Sequence, residues 1–199
     1  MKRAQIPNLL TVMRLVMTVL VLAGLEVAEQ TGWASAVWVA LGLFVVAALT
    51  DALDGYLARR WDVVSRFGRI VDPLADKLLI LATAGYLAAS SSYDTGVTAW
   101  MLAVLLIREL LVTGLRGVVE STGGDFSAQW SGKWKMILQS VAIPWAMLGM
   151  GLDPEGVSPG WFFVVRDGLL ITMAIITLIS GWPYVSGAAR MLRTSGQAG

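Results

Sequence analysis

Residues 34–58 read ASAVWVALGLFVVAALTDALDGYLA. No charge appears from 34 to 50, and then Asp51 and Asp54 follow three residues apart inside the same apolar run. A bilayer core of about 30 Å takes roughly 20 apolar residues as a helix, so this stretch predicts a membrane span that carries two carboxylates. Five further runs match it: 9–25, interrupted by Arg14, then 70–89, 97–119, 135–150 and 161–185. Short polar or Gly/Pro/Ser-rich links separate them at 26–32, 59–69, 90–96, 120–132 and 151–160. The expected fold is all-α, an integral membrane bundle of six transmembrane helices with a short N-terminal amphipathic segment. No link can hold a second domain, and no repeat or low-complexity tract appears, so residues 1–199 are expected to form a single membrane domain.

Composition supports this class. The 199 residues are 56% apolar and only 15% charged, with mean hydropathy +0.69, against about 25% charged residues in ordinary soluble domains. High hydropathy with a net charge of +1 excludes a disordered chain. Cysteine and histidine are both absent. That removes disulfides, thiol nucleophiles and thiolate zinc sites, along with the commonest general base and transition-metal ligand. Chemistry here falls to carboxylates, Lys, Arg, hydroxyls and hard metal ions.

The distribution of charge predicts orientation. Lys2, Arg3, Arg59, Arg60, Arg66, Arg69, Lys133, Arg190 and Arg193 all fall on one side of the six-span arrangement. The opposite links carry Glu26, Glu29, Asp94, Asp153 and Glu155 without Lys or Arg, and only Arg166 falls near that face. Lys and Arg mark cytoplasmic loops, so both termini are expected in the cytoplasm. The first run exceeds the 7–15 apolar residues of a signal peptide and is expected to remain as a span. Trp33, Trp38, Trp100, Trp130, Trp161 and Trp182 lie near span ends, where tryptophan anchors helices at the interface.

Ionisable groups inside spans are costly and mark function by default. Asp51 and Asp54 stand at i and i+3, and Asp72 and Asp76 at i and i+4 on the next run, so each pair shares one helix face. Three readings follow from the residues alone. The four could hold two hard cations, because clustered carboxylates cannot all ionise without neutralisation and all-oxygen donors suit Mg²⁺, Mn²⁺ or Ca²⁺. They could form a proton or cation relay, or they could pair with Arg59, Arg69 or Lys77 as structural staples. Two hard cations at a membrane boundary would suit phosphoryl chemistry. Gly55 and Ala58 on the carboxylate face leave room for a ligand or for close helix packing.

Asp51-Ala-Leu-Asp54-Gly55-Tyr-Leu-Ala58-Arg59, with Gly68 after eight intervening residues and then Asp72 and Asp76, resembles the signature D-x2-D-G-x2-A-R-x8-G-x3-D-x3-D of the CDP-alcohol phosphotransferases. Every specified position is present. Ile6-Pro7-Asn8, Thr11 and Arg14, then Ile107-Arg108-Glu109 with Arg116, and Gly132-Lys133-Trp-Lys135 resemble the bacterial phosphatidylglycerophosphate synthase branch. The likeness thus extends over most of the chain.

The resemblance implies transfer of a phosphatidyl group from CDP-diacylglycerol to sn-glycerol 3-phosphate with release of CMP, at the cytoplasmic face of a bacterial inner membrane. It implies that Asp51, Asp54, Asp72 and Asp76 hold two divalent cations, Mg²⁺ or Mn²⁺, and that Asp76 is the general base. It implies further that Asn8, Thr11, Gly55, Ala58, Arg59, Ser65 and Gly68 serve CDP-diacylglycerol, and that the enzyme is a homodimer in the lipid bilayer. Arg108, Arg116, Lys133 and Lys135 are the expected cradle for the acceptor phosphate, since guanidinium groups suit bidentate phosphate recognition. Inositol phosphate, inositol, serine or phosphatidylglycerol are the alternative acceptors within the family. A small cation or proton transporter is the alternative outside it.

Overall fold

The computed structural model describes residues 5–61, 66–121, 130–152 and 159–195. They form six helices: α1 (Gln5–Thr31), α2 (Ala34–Trp61), α3 (Arg66–Ala89), α4 (Ala99–Ser121), α5 (Trp130–Leu152) and α6 (Gly160–Ser195). No strand occurs among the described residues. The N-terminal amphipathic stretch is no separate element, because from Gln5 onward it is the opening of α1 itself.

All the helices but α4 outrun the apolar runs that predict them, and α4 is shifted by two residues. Residues 26–31 continue α1 as helix because Glu26 and Glu29 find partners across the bundle. The Tyr86 hydroxyl donates to Glu26 at 2.8 Å, and Glu29 accepts from the Ser90 hydroxyl at 2.7 Å and the Ser92 amide at 2.8 Å. Gly32 then ends the helix at φ 71°, a left-handed turn that L side chains adopt only under strain. The link before α4 turns on Gly96, also left-handed at φ 70°, whose amide donates to Asp94 at 3.1 Å. Beside it, Arg166 of α6 donates to the Asp94 carbonyl at 2.6 Å and to its carboxylate at 3.2 Å.

Packing closes a ring in the order α1, α2, α5, α6, α4, α3 and back to α1. The buried apolar core lies in the second halves of α1, α3 and α5 (Leu25, Leu87, Met147) and in the first halves of α2, α4 and α6 (Val37, Met101, Leu170). Successive helices therefore run in opposite directions, and the start of α1 and the end of α6 share one end of the bundle. Small residues bring α1 and α2 together: a Cβ on Gly24 would lie 3.1 Å from the Ala40 Cβ and 3.3 Å from the Ala36 carbonyl oxygen.

The polarity of the bundle is reversed relative to a water-soluble protein. Val19, Val39, Leu49, Ile107, Leu110, Val164 and Ile179 face outward, while Arg14, Thr83, Glu109, Lys135, Gln139, Arg166 and Thr177 are buried. So broad an apolar exterior requires a lipid environment. Trp161 and Trp182, both exposed on α6, are separated by about 32 Å of helix rise, close to the thickness of a bilayer core.

Among the described residues, three stretches are long and apolar enough to cross a membrane: Leu9–Thr31, Gly132–Leu152 and Gly160–Gly187. The apolar parts of α2 and α3 are shorter, Ala34–Thr50 and Lys77–Ala89. Helix α4 carries Arg108, Glu109 and Arg116 within its length. Of the six spans expected from sequence, three thus qualify by length and hydropathy among the described residues.

Candidate active site

The carboxylate signature divides between two helix ends. Asp51, Asp54, Gly55, Ala58 and Arg59 lie on the last part of α2, and Gly68, Asp72 and Asp76 on the first part of α3. The four-residue link between these helices can span no more than about 18 Å, so the two ends are neighbours. Asp51 stands ten residues before the end of α2 and Asp76 ten residues after the start of α3. Leu49 of α2 and Lys77 of α3, close in sequence to Asp51 and Asp76, line one shared cavity. The side chains of Asn8, Asp51, Asp54, Gly55, Ala58, Arg59, Gly68, Asp72 and Asp76 lie outside the described residues, as does the whole of Ser65. The four carboxylates fall on two adjoining helices, and all-oxygen donors of this kind suit divalent cations of the Mg²⁺ class.

The cavity has a volume of about 520 Å³ and is enclosed by α1, α2, α3, α4 and α5. Phe44, Ala48, Leu79 and Ile80 give it apolar walls. Among the described residues its charged lining is Arg14, Lys77, Lys133, Lys135 and Glu109. Guanidinium and ammonium groups on this lining are donors suited to an anionic ligand such as a phosphate.

Each cation is delivered by a different local arrangement. Arg14 is 1% exposed and shares a face of α1 with Thr11, three residues earlier and equally buried. Lys77 donates from α3 to the Thr113 hydroxyl of α4, and that hydroxyl donates in turn to the Glu109 carbonyl at 2.6 Å. Lys135, from the second turn of α5, is ion-paired to Glu109 within the bundle. Lys133 is more exposed and lines the same space.

Arg108 and Arg116 take another direction. Arg108 donates to the Ser180 hydroxyl of α6 at 3.1 Å and to Glu109 at 3.2 Å. Arg116 donates to the Tyr184 hydroxyl at 3.4 Å and lies 5.8 Å from the centre of that ring. Of the four residues expected to hold the acceptor phosphate, the structure thus brings Lys133 and Lys135 together at the cavity and places Arg108 and Arg116 between α4 and α6. The sequence reading gives no ligand role to Arg14, Lys77, Glu109 or Gln139, all of which line the cavity. For Arg14 the signal was present: a charge inside the first apolar run.

Comparison with known proteins agrees with the signature. The family model described as CDP-alcohol phosphatidyltransferase matches residues 4–183. The chain belongs to this family. A Bacillus subtilis (strain 168) protein named CDP-diacylglycerol–glycerol-3-phosphate 3-phosphatidyltransferase is 40% identical over 153 residues, 77% of this chain and 75% of its own. A Cereibacter sphaeroides protein of the same name is 38% identical across 94% of this chain and 97% of its own length. One from Salmonella choleraesuis, again of that name, is 34% identical across 92% and 94%.

Proposed function

We propose that this chain transfers the phosphatidyl group of CDP-diacylglycerol to sn-glycerol 3-phosphate, giving phosphatidylglycerophosphate and CMP. The observation that carries the choice of acceptor is the cationic cavity beside the two aspartate-bearing helices, with Lys133 and Lys135 on its α5 wall. A phosphorylated acceptor offers those lysines charge-assisted hydrogen bonds, which inositol or serine does not.

In this reading Asp51, Asp54, Asp72 and Asp76 hold two divalent cations, Mg²⁺ or Mn²⁺, which when bound neutralise charge on the diphosphate. Asp76 accepts the proton of the attacking 1-hydroxyl of glycerol 3-phosphate. The oxygen attacks the phosphorus that bears diacylglycerol, that phosphorus parts from the bridging oxygen, and CMP leaves. Gly55 and Ala58 provide space for the cytidine, Arg59 meets the diphosphate, and Asn8, Thr11 and Ser65 complete the nucleotide side. Gly68 keeps the opening of α3 free of side-chain bulk.

On the acceptor side, Lys133 and Lys135 hold the phosphate and Glu109 fixes Lys135. Arg108 anchors Glu109 from behind, and Arg116 steadies α4 against α6. All six helices cross the bacterial inner membrane, with both termini and the active site on the cytoplasmic side, and the enzyme works as a homodimer. Product analysis by mass spectrometry tests the acceptor directly, using purified protein with CDP-diacylglycerol and glycerol 3-phosphate, inositol phosphate, inositol or serine. Phosphatidylglycerophosphate as the sole product is the expected result; a different phosphatidyl product would overturn the acceptor assignment.

A further inference from the structure

Gln139 lies on α5 four residues beyond Lys135, on the same helix face, and about 6 Å further along the helix axis. It is 3% exposed and lines the cavity. Its Nε2 amide has no hydrogen-bond partner among the described residues. A buried amide left in that state is destabilising, and no side chain among the described residues relieves it.

Gln139 shares the cavity lining with the lysines and with apolar Phe44, Ala48 and Leu81. Lys133 and Lys135 supply charge for a phosphate, whereas the carboxamide of Gln139 is an uncharged N–H donor and suits an uncharged oxygen.

We infer that Gln139 is a specificity-determining residue that donates from Nε2 to a neutral oxygen of a bound substrate, one helical turn beyond the phosphate. Two substrate oxygens have this chemistry: the middle hydroxyl of glycerol 3-phosphate and an ester carbonyl of the diacylglycerol. The inference rests on the transferase reading above and adds a recognition element to it. A site built to satisfy a polar substrate group rejects the analogue lacking that group, because its own polar atom is then stranded.

The test compares kcat/KM ratios within each enzyme preparation, so the fraction of folded protein cancels. Wild type, Gln139→Met and Gln139→Leu are each assayed in detergent with two substrate pairs. One pair is glycerol 3-phosphate against 3-hydroxypropyl phosphate, which lacks the middle hydroxyl. The other is CDP-diacylglycerol against its dialkyl ether analogue, which lacks the carbonyls. Wild type should prefer the complete member of one pair by on the order of tenfold, and both variants should lose that preference while keeping the other ratio. The pair that responds identifies the oxygen. Ratios that are the same in wild type and variants overturn the inference and leave the transferase reading intact. A wild-type protein that makes no phosphatidylglycerophosphate overturns both.

Discussion

The Lys135 ammonium and the Glu109 carboxylate are ion-paired between α5 and α4, at 7% and 4% exposure. Glu109 also accepts from Arg108 at 3.2 Å, so one carboxylate compensates two cations. Its removal is therefore expected to harm the fold more than removal of either partner. Glu109→Gln removes the carboxylate that both cations share and should cost about 3–5 kcal/mol. Lys135→Met leaves Glu109 paired with Arg108 and should cost clearly less. Thermal unfolding in detergent ranks the two, and equal losses would contradict the shared-carboxylate arrangement.

The same lysine has a second readout. Charge-assisted hydrogen bonds contribute about 1.5–3 kcal/mol, so Lys135→Met should lower kcat/KM for glycerol 3-phosphate by roughly 10- to 100-fold. Lys133→Met, at a more exposed position, should have a smaller effect. Neither substitution should change the KM for CDP-diacylglycerol by more than about twofold. Steady-state kinetics with each substrate varied in turn checks this, and a loss confined to the lipid substrate would move Lys135 out of the acceptor site.

Two left-handed glycines provide a controlled comparison. Gly32 has φ 71° and nothing within 4 Å of an added Cβ, whereas at Gly96, φ 70°, that Cβ would meet Arg166 Nε at 2.5 Å and Asp167 Oδ1 at 2.9 Å. Gly32→Ala carries backbone strain alone, about 1–2 kcal/mol. Gly96→Ala adds displacement of the buried Arg166 from Asp94 and should cost about 3 kcal/mol or more. Differential unfolding of the two variants measures the gap directly.

The absence of cysteine makes topology accessible. Ser91 is exposed between α3 and α4, the end we assign to the outer face. Ser91→Cys should react with a membrane-impermeant maleimide in intact spheroplasts, and Arg193→Cys only after lysis. The reverse pattern would invert the orientation and the placement of the active site.

Several features of this account were legible in the sequence for physical reasons. Apolar runs long enough for a bilayer locate all six helices, and the spacing of Asp51, Asp54, Asp72 and Asp76 puts each pair on one face. Helix ends were less legible. Residues 26–31 read as a polar link, but Glu29 accepts hydrogen bonds from the Ser90–Ser92 segment, a partner distant in sequence. The direction of a charged side chain was least legible. On a helix such as α4, apolar on most sides, periodicity cannot say whether Arg108 faces the cavity or α6, and packing against Ser180 decides it. Gln139 escaped notice because an uncharged amide in an apolar run emits no signal of cost until its burial and missing partner are seen.

The central claim is metal-dependent phosphatidyl transfer to glycerol 3-phosphate. It is tested most directly by CMP release from CDP-diacylglycerol by the purified protein, with and without that acceptor, in Mg²⁺ or in EDTA, beside an Asp76→Asn variant. The account predicts acceptor-dependent CMP release in Mg²⁺ that is abolished by EDTA, restored by added Mg²⁺ or Mn²⁺, and lost in folded Asp76→Asn. CMP release that persists in EDTA, or that proceeds at the wild-type rate in Asp76→Asn, would contradict it.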